Sequence, residues 1–109
     1  MTTRPQRPER QLQTACLAVF KGYDILCAGF NRERAGRARA SHIGCEGLPD
    51  ILGVLPDGRA FACECKVGEA KATVAQLAVM RALAQRNAFV CLVRTVEQAQ
   101  DAARRATRR

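Results

Sequence analysis

At 109 residues and 48% hydrophobic, the chain has room for one small domain with a modest core and is too apolar to be disordered. No apolar run approaches the ~20 residues of a membrane span, and no signal-peptide core follows the basic start, so a cytoplasmic protein without a membrane partner is expected. A net charge of +8, eighteen Lys and Arg against ten Asp and Glu, points to a polyanion as partner.

Residues 1–8 read as a basic disordered arm, residues 9–103 as the folded domain and residues 104–109 as a basic tail. Pro8-Glu9-Arg10 opens a helix that runs to about Lys21-Gly22, where glycine stops it. Leu12, Cys16, Val19 and Phe20 supply its apolar stripe at helical spacing. Glu9 and Gln13, four residues apart, fall within that stripe, and a carboxylate aimed at a sheet wants a partner. The plainer alternative is that Glu9 favours the positive end of the helix.

Residues 24–30 read as a first strand. Asn31 to Gly47 is then a long loop, of the kind that is functional or disordered in a small domain. Its Arg32, Arg34, Arg37 and Arg39 suit bidentate phosphate contacts, and with Lys71 further on they are the candidate DNA-binding residues.

Leu55-Pro56-Asp57-Gly58-Arg59 has the chemistry of a type I turn followed by a left-handed residue, a three-residue hairpin loop closed by a bulge. Strands of about 49–55 and 59–66 flank it. In this register Leu55 pairs with Arg59, Gly53 with Phe61 and Ile51 with Cys63, which sets Asp50 opposite Glu64 and Lys66 on the same face. Opposed residues have Cβ atoms roughly 4.5–5.5 Å apart, and two carboxylates that close repel unless a cation sits between them. Both hairpin faces are apolar, with Leu52, Val54, Ala60 and Ala62 on one and Ile51, Leu55, Phe61 and Cys63 on the other. Such a hairpin belongs in the middle of a sheet covered on both sides.

Val67 to Ala72 is a polar connection, and Thr73-Val74-Ala75-Gln76 is a capping box that starts a helix to about Arg86. Phe89 to Val93 is a short strand. Thr95-Val96-Glu97-Gln98 is a second capping box, opening a helix that frays into the arginine tail. The order α-β-β-β-α-β-α describes a single α/β domain with a mixed β-sheet flanked by helices.

Asp50 and Glu64, with the backbone carbonyl of Cys65, are hard oxygen ligands suited to Mg²⁺ or Mn²⁺. Glu9 completes the metal shell if the first helix packs over this edge. Lys66 is placed to orient a water or offset charge on a phosphorane, and Gln76 to hold a water or a phosphate. Each has a plainer reading: a strand end for Asp50, an exposed edge for Glu64 and Lys66, a capping residue for Gln76. The cysteines read as small buried hydrophobes; Cys63 and Cys65 are too tightly spaced for a zinc pair and point away from Asp50 and Glu64.

Pro49-Asp50 followed by Glu64-Cys65-Lys66 resembles the PD-(D/E)XK nuclease motif. The fuller pattern, Gly44-Cys-Glu-Gly47-Leu-Pro49-Asp50-Ile-Leu-Gly53, then Asp57-Gly58-Arg59, Glu64-Cys65-Lys66 and Gln76, resembles the VRR-NUC subgroup over about Glu9 to Gln98. The linker before Gln76 departs from it, lacking a Gly-Ser/Thr-Pro-Gln run. The resemblance implies a restriction-endonuclease-like fold and a divalent-metal-dependent DNA endonuclease. Asp50, Glu64 and Glu9 would be its metal ligands and Lys66 its catalytic lysine. It further implies a homodimer acting on branched or flapped DNA, as Holliday-junction resolvases do. The competing classes are a non-catalytic basic nucleic-acid-binding protein and a zinc or redox module built on the cysteines.

Overall fold

The computed structural model describes residues 7–30 and 46–108. Among them the order is α1 (Pro8–Gly22), β1 (Leu26–Gly29), β2 (Ile51–Val54), β3 (Ala60–Cys65), α2 (Val74–Gln85), β4 (Phe89–Val93) and α3 (Val96–Thr107). This is the expected α-β-β-β-α-β-α order. The loop arginines Arg32, Arg34, Arg37 and Arg39 lie outside the described residues, as does most of the basic arm.

α1 starts with Pro8 at its first position, where a missing N–H is harmless. It ends at Gly22, but the left-handed residue that closes it is Asp24 (φ 63°), not the glycine. The Asp24 and Ile25 amides donate back to Lys21 and Phe20 oxygens, and the short polar side chain of aspartate tolerates that conformation. Leu12, Cys16 and Phe20 are buried as the spacing predicts.

The strands form one sheet in the order β1-β2-β3-β4, antiparallel across the first two junctions and parallel at β3–β4. The hairpin register is the one the turn dictates: Gly53 faces Phe61 and Ile51 faces Cys63. The Leu55 amide donates to Arg59 O at 2.8 Å and Gly58 has φ 94°. The strands are shorter than expected, because pairing stops before Asp50 and Lys66.

Alternation assigns the two faces. Ile51, Phe61, Cys63, Cys65, Phe89 and Val93 point to the side that α1 and α3 cover, and the core sits there. Phe20 meets Phe61 edge-on at 4.7 Å, and Phe61 stacks on Phe89 at 6.0 Å. α3 contributes Ala99, Ala102, Ala103 and Ala106, small enough to lie close to α1. Cys16, Cys63 and Cys65 are fully buried here and behave as small hydrophobes, while Cys27 and Cys91 are half-buried. Hydrogen bonding to Cys65, then burial, pushes the Cys16 and Cys63 thiols far up, so both stay protonated.

Among the described residues, the helix on the opposite face is α2, lying over β3 and β4. The expectation of a hairpin covered on both sides is therefore met for one face and half-met for the other. Two further corrections concern α3. Its N-cap Thr95 accepts from the Gln98 amide, but the Gln98 side chain accepts from Arg94 N at 2.6 Å, so the second box is not reciprocal. The helix also runs on to Thr107, and Arg104 and Arg105 pair with Asp101 within it instead of fraying into a tail.

Candidate active site

The β2–β3 hairpin ends in two acids because Pro49 and the turn register leave Asp50 and Glu64 one step beyond the last ladder pair. Asp50 is 5% exposed and Glu64 1%. Buried carboxylates need donors, and the backbone supplies some. The Asp50 amide donates to Glu64 Oε1 at 3.2 Å, and the Cys65 amide donates to Asp50 Oδ2 at 2.9 Å. The two acids thus brace each other through main-chain N–H groups, a fixed arrangement rather than two mobile surface side chains.

Lys66 follows on the same strand face with Nζ 3.3 Å from Glu64 Oε2. Gln76 donates Nε2 to that same oxygen at 2.8 Å. Its own Oε1 accepts from Thr73 N, and its amide donates to Thr73 Oγ1, which completes the capping box. The capping role and the site role of Gln76 are therefore both present in one side chain. It is the buried residue of α2, a helix in which nine of twelve residues are apolar. A helix that buries Gln76 and exposes the neighbouring Leu77 is organised by the site.

Asp50, Glu64, Lys66 and Gln76 are thus brought together. Glu9 is not. It is exposed in the first turn of α1, and among the described residues no three His, Cys, Asp or Glu gather to hold a metal. The helical stripe turns inward only from Leu12. Lys71 is exposed on the connection before α2. Arg94 Nη1 ties that connection down, donating to Gly68 O at 3.0 Å and Ala70 O at 2.6 Å.

Gln13 is the site residue whose part the sequence left unassigned. Its Nε2 donates to Phe30 O and to Asp50 O, each at 3.3 Å, and the Phe30 amide donates to Asp50 O at 2.9 Å. Gln13 therefore fixes α1 to the backbone of the acid. Two long bonds, one exposed and one part-buried, contribute about 1 kcal/mol. Gln13→Ala is expected to lower Tm by about 4–8 °C in a domain of this size, read by thermal denaturation. An unchanged Tm would show that α1 is held without it.

The donor set is consistent with a hard divalent ion. Asp50 and Glu64 offer oxygen only, and Mg²⁺ is commonly held by one or two carboxylates plus substrate phosphates. A third protein carboxylate is not required for that fit.

This is the restriction-endonuclease-like α/β fold, a mixed sheet with an acidic hairpin at its end. Solved structures of VRR-NUC domains share this fold. One structure described as "VRR_NUC domain" superposes with a TM-score of 0.65 at 24% identity, covering 85% of this chain and 90% of that one. Another, "VRR_NUC domain protein", gives 0.68 at 17% identity over 94% and 90%. At such identities the likeness is one of fold. No protein-family model matches the chain, and no curated protein does.

Proposed function

We propose that this chain is a divalent-metal-dependent DNA endonuclease, working as a homodimer on branched or flapped DNA. The observation that carries the reading is the convergence of buried Asp50 and Glu64 with Lys66 and Gln76 at one end of an otherwise apolar hairpin. The fold likeness to VRR-NUC domains supports it, as does the net charge of +8.

Asp50, Glu64 and the Cys65 carbonyl would hold the ion. When bound, Mg²⁺ or Mn²⁺ supplies polarisation of a phosphodiester oxygen and lowers the pKa of water. Gln76 fixes Oε2 of Glu64, so the carboxylate keeps one orientation while substrate enters. Lys66, held against the same oxygen, orients the attacking water or offsets charge that develops on the phosphorus oxygens. Glu9 is in reserve as a further ligand only if α1 shifts on DNA. Lys71 and the loop arginines Arg32, Arg34, Arg37 and Arg39 grip the backbone phosphates.

The test incubates the protein with labelled duplex, single-stranded, flapped and four-way-junction DNA in Mg²⁺, Mn²⁺ or EDTA. Cutting is expected with an ion and not with EDTA, and faster on branched substrates. Retarded but uncut DNA with every ion would make the chain a binding protein instead.

A further inference from the structure

Glu64 Oε2 is held from two directions. Lys66 Nζ reaches it from the end of β3 at 3.3 Å, and Gln76 Nε2 from the first turn of α2 at 2.8 Å. Between those two donors the chain runs through residues 67–75, so the shape of that connection decides whether both meet one oxygen. Its own resources are slight. Residues 67–70 form a turn closed by the Ala70 amide on Val67 O at 3.2 Å, with Gly68 left-handed at φ 57°. No proline stiffens the stretch before the N-cap Thr73. α2 gives little help, since Gln76 is its buried residue and the others are at most half-buried. Helices in proteins are stabilised chiefly by packing of an apolar face, and this one packs little.

The fastening comes from the neighbouring strand. Arg94 is the first residue past β4, and Val93 O beside it accepts from Lys66 N at 3.1 Å. The Arg94 amide donates to Gln98 Oε1 at 2.6 Å, and Thr95 then caps α3. From this anchored backbone the guanidinium crosses to the connection, Nη1 donating to Gly68 O at 3.0 Å and to Ala70 O at 2.6 Å. These are carbonyls that the 67–70 turn itself leaves unused. Hydrogen bonds from a charged donor are among the stronger kinds. Among the described residues no carboxylate pairs with Arg94, so its side chain is committed to main-chain oxygens.

We infer that Arg94 is a positioning residue of the site: by clamping the 67–70 turn from the β4–α3 junction, it holds Lys66 and Gln76 at the spacing from which both meet Glu64 Oε2. The inference rests on the nuclease reading above and extends it to a residue outside the acidic hairpin. Arg94 acts through the connection, whose two ends carry the donors. With the clamp gone, α2 and the end of β3 are joined by a turn with one internal hydrogen bond, and the Glu64 carboxylate loses its fixed orientation.

Hydrogen exchange followed by NMR on the full chain, without DNA or ion, tests the clamp apart from the chemistry. In Arg94→Ala the backbone amides of residues 68–77 and the side-chain amide of Gln76 should exchange at least about tenfold faster than in the wild type, while those of α1 and β2 keep their rates. Arg94→Lys keeps the charge on a stem one atom shorter and should show most of the same change. In steady-state cleavage of flapped DNA with Mg²⁺, both variants should lose about tenfold or more in kcat with KM held within about twofold, the split expected when binding is intact. Unchanged exchange at residues 68–77, a change spread over α1 and β2 as well, or an unaltered kcat would overturn the inference. So would a raised KM in Arg94→Ala that Arg94→Lys restores, the mark of a phosphate contact. If the wild type cuts no DNA the nuclease reading falls, and exchange at the connection and at the Gln76 side chain still decides whether Arg94 holds the two donors on Glu64.

Discussion

Glu64→Gln is expected to lower the cleavage rate by about a thousandfold or more, the scale seen when a group acting on transition-state charge is removed. The substitution keeps the shape of the side chain and still disrupts its bonding. Both Glu64 oxygens are acceptors in the structure, Oε1 for the Asp50 amide and Oε2 for Gln76 and Lys66. An amide NH₂ in either place faces a donor. Gln76 cannot readily turn its oxygen inward, because that atom already accepts from Thr73 N. One buried donor is left unsatisfied at about 1–3 kcal/mol. Lost repulsion between Glu64 and Asp50 offsets part of that, so a folded variant with a modestly lower Tm is expected. The sharper readout is linkage. Mg²⁺ or Mn²⁺ at about a hundred times its Kd should stabilise the wild type by about 2.7 kcal/mol, and the variant much less. A variant that cuts normally would remove Glu64 from the site.

What could be read from the sequence was local or periodic. The Pro56-Asp57-Gly58 turn involves five consecutive residues, and it set the register that brings Asp50 beside Glu64. The Thr73–Gln76 box is a four-residue pattern and formed as expected. Gln13 was harder because its partners are carbonyl oxygens, 17 and 37 residues away, and carbonyls leave no mark on side-chain type. Gln98 followed the box pattern but found Arg94 N one residue earlier, a competition between adjacent amides that type alone cannot decide. Glu9 had the period of the buried stripe, yet it stands a turn before α1 begins to bury side chains.

The half-open sheet shows a different limit. Alternation of apolar residues states which surfaces need cover, and it held for Leu52, Val54 and Ala60 as for Ile51 and Phe61. It does not state whether the cover comes from the same chain. An α/β domain of this length has three helices among its described residues, two on one face and one on the other.

Gly47→Ala is expected to destabilise the protein through two effects at once. Gly47 has φ 87°, a conformation that costs an L-residue about 1–2 kcal/mol. A Cβ there would also stand 2.6 Å from both the carbonyl carbon and oxygen of Ala75 and 2.9 Å from Gln76 N. Those atoms are helix backbone and cannot swing aside, so overpacking adds about 1–3 kcal/mol. The α2 start must move, and it carries the Gln76 amide that holds Glu64 Oε2. The combined cost, about 3 kcal/mol, corresponds to a fall in Tm of at least about 10 °C. Gly58→Ala is the control. It shares the left-handed backbone, at φ 94°, but its Cβ meets nothing within 4 Å. That variant should lose only the conformational part and cut DNA at the wild-type rate, while Gly47→Ala loses stability and activity together. Equal losses in the two variants would mean that close approach to α2 is not what Gly47 provides.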